Sequence, residues 1–213
     1  MLVRWLKKFM RLFFRLLYNE FAWTYDVISG IVSVGRWNTW IRTVLPYIGG
    51  RRVLELGHGP GHLQYSLLQQ DNLQVYGIDL SPFMGRRATR RLRKKGCHPA
   101  LVNASASRLP YPSGSMDTVV STFPSEYIGQ EETIREAYRV LKSGGRFVIV
   151  PGAWITGKSI LDRIAALLFR ITRQAPEWED RFTRLWEREG FQTDVEWVEV
   201  KRSTVLIIKA EKP

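Results

Sequence analysis

The chain has 213 residues, 45% hydrophobic and 24% charged, the proportions of an ordinary globular protein with one full core. It carries 32 lysines and arginines against 20 acids, a formal charge of +12, which points to an anionic partner: nucleic acid, an anionic membrane surface or an acidic substrate. One cysteine, Cys97, excludes an internal disulfide and a cysteine-based metal cluster and fits a reducing, cytoplasmic compartment.

Residues 2–18 read as an amphipathic helix. Arg4, Lys7, Lys8, Arg11 and Arg15 fall on one narrow stripe at spacings of three and four, and Trp5, Phe9, Phe13 and leucines fill the rest. Its apolar runs are far shorter than the ~18 residues needed to span a bilayer. Arginines beside Trp and Phe suit a headgroup interface, so a peripheral position on an anionic membrane is expected. Two more helices follow near 20–29 and 36–47, closed by Pro46 and Gly49-Gly50, so that residues 1–48 form an N-terminal helical segment.

From 49 to 213 strands and helices alternate. Strands are expected at Arg52–Leu56, Leu73–Ile78, Ala100–Val102, Asp117–Ser121 and Arg146–Val150, and helices at Leu63–Gln70, Pro82–Lys95 and Glu131–Leu141. That order makes an α/β fold with a doubly wound, mainly parallel sheet. A helical insertion near 155–175 and a helix at Pro176–Glu189, stopped by Gly190, precede two strands, Asp194–Lys201 and Thr204–Ala210. Their short join at Arg202-Ser203 makes the last pair antiparallel. Seven strands result.

The most informative segment is Val53-Leu54-Glu55-Leu56-Gly57-His58-Gly59-Pro60-Gly61-His62. An apolar strand runs into glycines at 57, 59 and 61 and then a helix, the pattern of a backbone that turns tightly against a bound nucleotide. A dinucleotide fingerprint would place its third small residue at 62, where this chain has His62. Asp79 ends the next strand, about 20 residues beyond the loop, where a carboxylate accepts the hydroxyls of a ribose. The competing reading makes Asp79 a surface cap for the helix that starts at Pro82.

With Ala22-Trp23-Thr24-Tyr25-Asp26, the glycine loop, segment 75–84, Leu109-Pro110-Tyr111-Pro112, Ser115-Met116-Asp117 and Arg139-Val140-Leu141-Lys142-Ser143-Gly144-Gly145 in this order, the chain resembles class I S-adenosylmethionine (SAM)-dependent methyltransferases of the group with ubiquinone, menaquinone and phospholipid enzymes. The resemblance implies a Rossmann-like methyltransferase fold and SAM as cofactor. It implies that Glu55, Gly57, His58, Gly59 and Gly61 surround the methionine part, that Asp79 holds the ribose, and that Leu80 and Met84 flank the adenine. The family usually has an acid where this chain has Ser105, between Ala104 and Ala106, and the hydroxyl offers a weaker bond to the adenine amino group. Tyr25 is a candidate to cover the donor, and Thr122 to line it.

The methyl of a sulfonium is already activated, so orientation and desolvation dominate and no metal site is expected. His58, His62, Tyr25 and Tyr127 are the candidates for an acid–base role. Thr122, Phe123, Pro124, Ser125 and Tyr127 are expected to line the acceptor pocket. The favoured acceptor is lipophilic: a phospholipid headgroup, a quinone ring or an isoprenoid. Methylation of nucleic acid or a soluble small molecule, and a non-catalytic SAM-binding or membrane scaffold, stand below it. The oligomeric state is left open.

Overall fold

The computed structural model describes residues 35–157 and 179–213. Its sheet has seven strands: β1 (Arg52–Leu56), β2 (Gln74–Asp79), β3 (Ala100–Asn103), β4 (Met116–Thr122), β5 (Leu141–Ile155), β6 (Gln192–Glu199) and β7 (Ser203–Glu211). They lie in the order β3-β2-β1-β4-β5-β7-β6. The first five pair in parallel, and β7 runs antiparallel to both β5 and β6. This is the doubly wound, mainly parallel sheet with an antiparallel last pair that the element order predicts.

Side chains alternate across a strand, so consecutive apolar residues feed opposite faces. Leu54, Val119, Phe147 and Leu206 enter one core with Ile134, Ala137 and Trp186. Their neighbours Val53, Val120, Val148 and Val205 enter the other with Trp40, Val44, Leu63 and Leu67. Burial on both faces explains why these strands read as continuous apolar runs. Helices α2 (His62–Leu68), α3 (Pro82–Lys94) and α4 (Glu131–Val140) return the chain between parallel strands, and α5 (Glu179–Arg188) precedes β6. Helix α3 starts on Ser81, whose hydroxyl accepts from the Met84 N–H at 3.4 Å, with Pro82 in the first turn.

Three local expectations change. The single helix expected over 36–47 is a five-residue helix α1 (Trp37–Ile41) followed by a 3-10 turn, Arg42–Tyr47, with Pro46 inside. Proline lacks the N–H that would continue an α-helix. Strand β5 runs to Ile155 instead of stopping at Val150, through a bulge between Ile149 and Gly152 that absorbs Pro151. The hairpin turns on Lys201-Arg202, one residue earlier than expected. Both residues have positive φ (43° and 58°), and Val200 and Ser203 exchange backbone bonds. The helices expected at 2–18 and 20–29, and the expected helical insertion from residue 158 onward, lie outside the described residues.

Candidate functional site

The strand order reverses beside β1: the chain moves outward to β2 and β3, then crosses back to β4 on β1's other flank. Loops leaving the carboxyl ends of β1 and β4 therefore part and leave a crevice. Four segments meet there: the loop after β1, the end of β2, the loop after β3 and the segment after β4.

The loop after β1 is laced to β2. The N–H groups of Gly57 and His58 both donate to the Ile78 carbonyl, at 2.9 and 3.1 Å. Gly57, Gly59 and Gly61 all take positive φ (69°, 51° and 83°), a conformation that strains any side chain. Asp79 is the pivot. Its Oδ2 accepts from the Gly59 N–H and its Oδ1 from the Ser81 N–H, both at 2.8 Å. The carboxylate thus binds the loop to the start of α3, and each oxygen keeps lone-pair capacity for a ligand hydroxyl. Ser81, not Asp79, caps α3. Asn103 and Ala104 both donate to the Asp79 carbonyl, at 2.8 and 3.3 Å, joining the loop after β3 to the same point.

Behind the loop lie two buried ionisable groups. Glu55, 2% exposed, has an Oε2 with no hydrogen-bond partner among the described residues. Burial pushes its carboxyl up to about 8; a bond to Gln64 opposes this and the charge of Asp79 adds to it. Gln64 is fully buried and donates to the Tyr76 carbonyl at 3.1 Å. His58, 3% exposed, donates from Nδ1 to the Gly59 carbonyl at 2.8 Å and leaves a buried Nε2 with no hydrogen-bond partner among the described residues. Burial lowers its pKa, while Asp79 and the backbone bonds pull the other way.

Beyond β4, Phe123 takes φ +50°, its N–H donates to the Val150 carbonyl at 2.7 Å, and its ring stacks on Trp37 with centroids 4.3 Å apart. Thr122, half-buried, ends the strand. Tyr127 reaches back across the crevice. Its hydroxyl donates to the Leu56 carbonyl at 3.0 Å and lies 2.9 Å from the Ser121 hydroxyl, which donates to the same carbonyl. A Cβ on Gly57 would lie 2.5 Å from that phenolic oxygen. Tyr127 therefore rests directly on the first glycine.

The structure brings together Glu55, Gly57, His58, Gly59, Asp79, Leu80 and Tyr127, and sends other expected site residues elsewhere. Leu80 is 75% exposed, an apolar surface beside Asp79. Met84, expected to flank the adenine, is 1% exposed and packs inward with Ala88 and Leu92 on the buried side of α3; it is a core residue. Gly61, expected beside the methionine part, lets two helices approach: a Cβ there would meet Ala88 Cβ at 3.0 Å and Leu92 Cδ1 at 3.5 Å. By contrast, a Cβ on Gly59 would meet nothing within 4 Å, so open space lies over the middle glycine. The Nε2 of His62 takes a 2.6 Å bond from Arg91, which also donates to the Pro60 carbonyl. That engagement makes His62 a link between α2 and α3. Ser105 turns its hydroxyl to Ser107, at 2.7 Å, between half-buried Ala104 and Ala106. Tyr25 lies outside the described residues. Gln64, Asn103 and Ser121 are additions that motif reasoning passed over. Gln64 alone left a signal, a polar residue beside apolar Leu63 and Leu67 in a helix that must pack on the sheet.

These features fit one ligand type. A carboxylate with spare acceptor capacity suits vicinal hydroxyls, the exposed Leu80 suits a flat base, and an unpartnered buried carboxyl suits a cationic amino group.

Comparison with known proteins agrees. A family described as a methyltransferase domain matches residues 53–145. A demethylmenaquinone methyltransferase of Thermus thermophilus is 30% identical over 139 residues, covering 63% of this chain and 63% of that protein. A Yersinia enterocolitica ubiquinone/menaquinone biosynthesis C-methyltransferase, UbiE, is 30% identical over 141 residues, covering 62% of this chain and 56% of that protein. The match thus spans less than two thirds of either relative. Among solved structures, the phosphoethanolamine N-methyltransferase 2 of Haemonchus contortus has a TM-score of 0.64 at 18% identity, covering 84% of this chain and 53% of that one. The geranyl diphosphate C-methyltransferase of Streptomyces coelicolor has 0.63 at 13%, covering 81% and 78%. These structural likenesses speak for the fold alone. With the loop, the acid at the end of β2, the strand order and the sequence matches in agreement, residues 53–145 carry a methyltransferase domain, and the chain is similar to the SAM-dependent methyltransferases of the ubiquinone/menaquinone group.

Proposed function

We propose that the chain transfers a methyl group from SAM to a lipophilic, quinone-type acceptor at a membrane surface. The observation that carries the donor half is Asp79, whose two oxygens clamp the Gly59 and Ser81 amides at 2.8 Å, beside a middle glycine on which a Cβ would meet nothing within 4 Å. The acceptor half is supported by the quinone-methylating names of the sequence relatives.

SAM, when bound, supplies a methyl group already activated on a sulfonium. The remaining work belongs to the chain. Asp79 accepts the ribose hydroxyls, Leu80 covers one face of the base, and Glu55, once ionised, receives the cationic amino group. Tyr127 and Phe123 close the crevice from the β4 side and exclude water around the reacting carbon, where alignment supplies most of the acceleration. A ring carbon that accepts a methyl must lose its proton. Neutral His58, with an unpartnered Nε2 beside the loop, is the described group best prepared to take it.

The test pairs calorimetry with a transfer assay. SAM should bind and NAD should not. Asp79→Ala should weaken SAM at least tenfold, since two charge-assisted bonds worth roughly 1.5–3 kcal/mol each disappear. Label should pass from methyl-labelled SAM to a detergent-solubilised demethylated quinol and not to RNA or DNA. NAD binding without SAM binding, or transfer to nucleic acid alone, refutes the proposal.

A further inference from the structure

Helix α3 does two unrelated things with its two sides. Met84, Ala88 and Leu92, one turn apart, are buried. The flank beside them is basic: Phe83 and the bases Arg86, Arg87, Arg90, Arg91, Lys94 and Lys95 line an open groove of about 450 Å³. Thirteen helical residues make a rod about 20 Å long. Arg86, Arg90 and Lys94, at successive fourth positions, form an exposed line along it.

Ordinary solvated helices mix signs, as α4 does with Glu131 and Glu132 in its first turn and Arg139 in its last. Helix α3 does not. No acid occurs anywhere from Leu80 to Met116, and seven bases fall between Arg86 and Lys95. Like charges four residues apart destabilise a helix, so this helix opposes itself electrostatically unless something anionic lies against it. The approach to the helix is apolar: Leu80 is 75% exposed, and Phe83 lies beneath the Arg86 guanidinium, 5.7 Å from its ring centre. A straight line of exposed bases matches a plane of anionic headgroups. A nucleic-acid surface would interleave stacking aromatics with its bases; here Phe83 is covered by Arg86 and Tyr65 by Lys95.

We infer that the basic face of α3, from Phe83 to Lys95, is a docking surface for an anionic phospholipid membrane, and that it holds the mouth of the donor crevice at the headgroups. The chain passes from Asp79 through Leu80 and Ser81 straight into this helix, so the surface and the site share one rigid junction. This deepens the lipophilic-acceptor reading but is tested apart from it.

The experiment is sedimentation of the full chain with vesicles of phosphatidylcholine alone or with added phosphatidylglycerol. The full chain should bind the anionic vesicles selectively, and salt should weaken binding through screening. Each base near an anionic surface contributes about a factor of five, so the triple variant Arg86→Gln, Arg90→Gln, Lys94→Gln should lose about a hundredfold in partition. Its SAM affinity should stay as in the parent, because all three side chains are exposed and outside the loop, and its melting should not fall, because like charges four residues apart are removed. Arg86→Lys with Arg90→Lys should restore binding, since charge and not fork geometry is read. Equal binding to neutral vesicles, no loss in the triple variant, or loss confined to oligonucleotide binding overturns the inference. Transfer to a solubilised quinol without vesicle binding overturns it, together with the membrane setting of the proposed function, while sparing the methyl transfer itself. Vesicle binding without SAM binding upholds it and removes that function.

Discussion

Glu55 offers the sharpest test, because its burial has a consequence for stability that runs opposite to its use. In the unfolded chain it titrates in the ordinary carboxylate range near 4.5; in the folded chain burial holds the proton up to about 8. Folding therefore takes up a proton between those values. Stability should be highest below 4.5, fall as pH rises through the window, and level off above 8. At about 1.4 kcal/mol per pH unit, the cost at neutral pH is about 3 kcal/mol. Glu55→Gln keeps the shape and removes the titration. Urea denaturation of both proteins across the window should give nearly equal stabilities at pH 4.5 and a variant more stable by about 3 kcal/mol at neutrality. The same variant should bind SAM more weakly, having lost the charge that receives the amino group, and wild-type affinity should climb toward pH 8 as Glu55 ionises. A stability difference that does not change with pH, or a variant less stable at neutrality, would refute the reasoning.

Two further substitutions probe the frame of the site. Gly57→Ala places a methyl 2.5 Å from the Tyr127 hydroxyl at φ +69°, and should cost roughly 1–3 kcal/mol in thermal melts. In a Tyr127→Phe background, where the nearest ring atom is 3.4 Å away, that cost should shrink; an unchanged cost would mean Tyr127 does not rest on the glycine. Arg139 donates to the Leu109 and Tyr111 carbonyls at 3.1 and 2.8 Å while paired with Glu136, which itself accepts from the Leu109 N–H. Arg139→Ala should remove about 2 kcal/mol and lower Tm by about 5 °C, and Arg139→Lys should recover only part, lacking the fork. A Tm within a degree of wild type would show the 109–112 turn stands without it.

The residues that spoke clearly in the sequence were those whose role is a matter of backbone. The spacing of Gly57, Gly59 and Gly61 after an apolar strand, followed by Asp79, announces a tight loop and a partner acid, and the structure joins them by the Gly59–Asp79 bond. The alternation of strands and helices likewise dictates the sheet. Roles set by which neighbour a side chain meets were not legible. Met84 follows Leu80 by four residues, yet one faces the core and the other solvent, because Ser81 and Pro82 start a new helix between them. The third glycine looks like the first two, but its lack of a side chain lets α2 and α3 pack closely. Arg139 and the Leu109-Pro110-Tyr111-Pro112 turn were matched as separate motifs, and only the folded chain shows that one holds the other. Strand β5 escaped at its far end because Pro151-Gly152 reads as a break, whereas a bulge carries the ladder past it.

The position of β7 bears on how such a chain comes off the ribosome. Of the seven strands it is the last to be synthesised, yet it lies inside the sheet, with β5 on one side and β6 on the other. Just beyond it, Lys212 exchanges backbone bonds with Gly144 and Gly145 and donates its amine to the Tyr138 and Leu141 carbonyls at the end of α4. Until residues 203–212 emerge, the apolar edge of β5 has no neighbour and β6 has nothing to pair with. The nascent domain therefore presents an open strand edge, a template for pairing with other chains, through nearly all of its synthesis. A frameshift near residue 200 would remove the strand that joins β6 to the rest of the sheet.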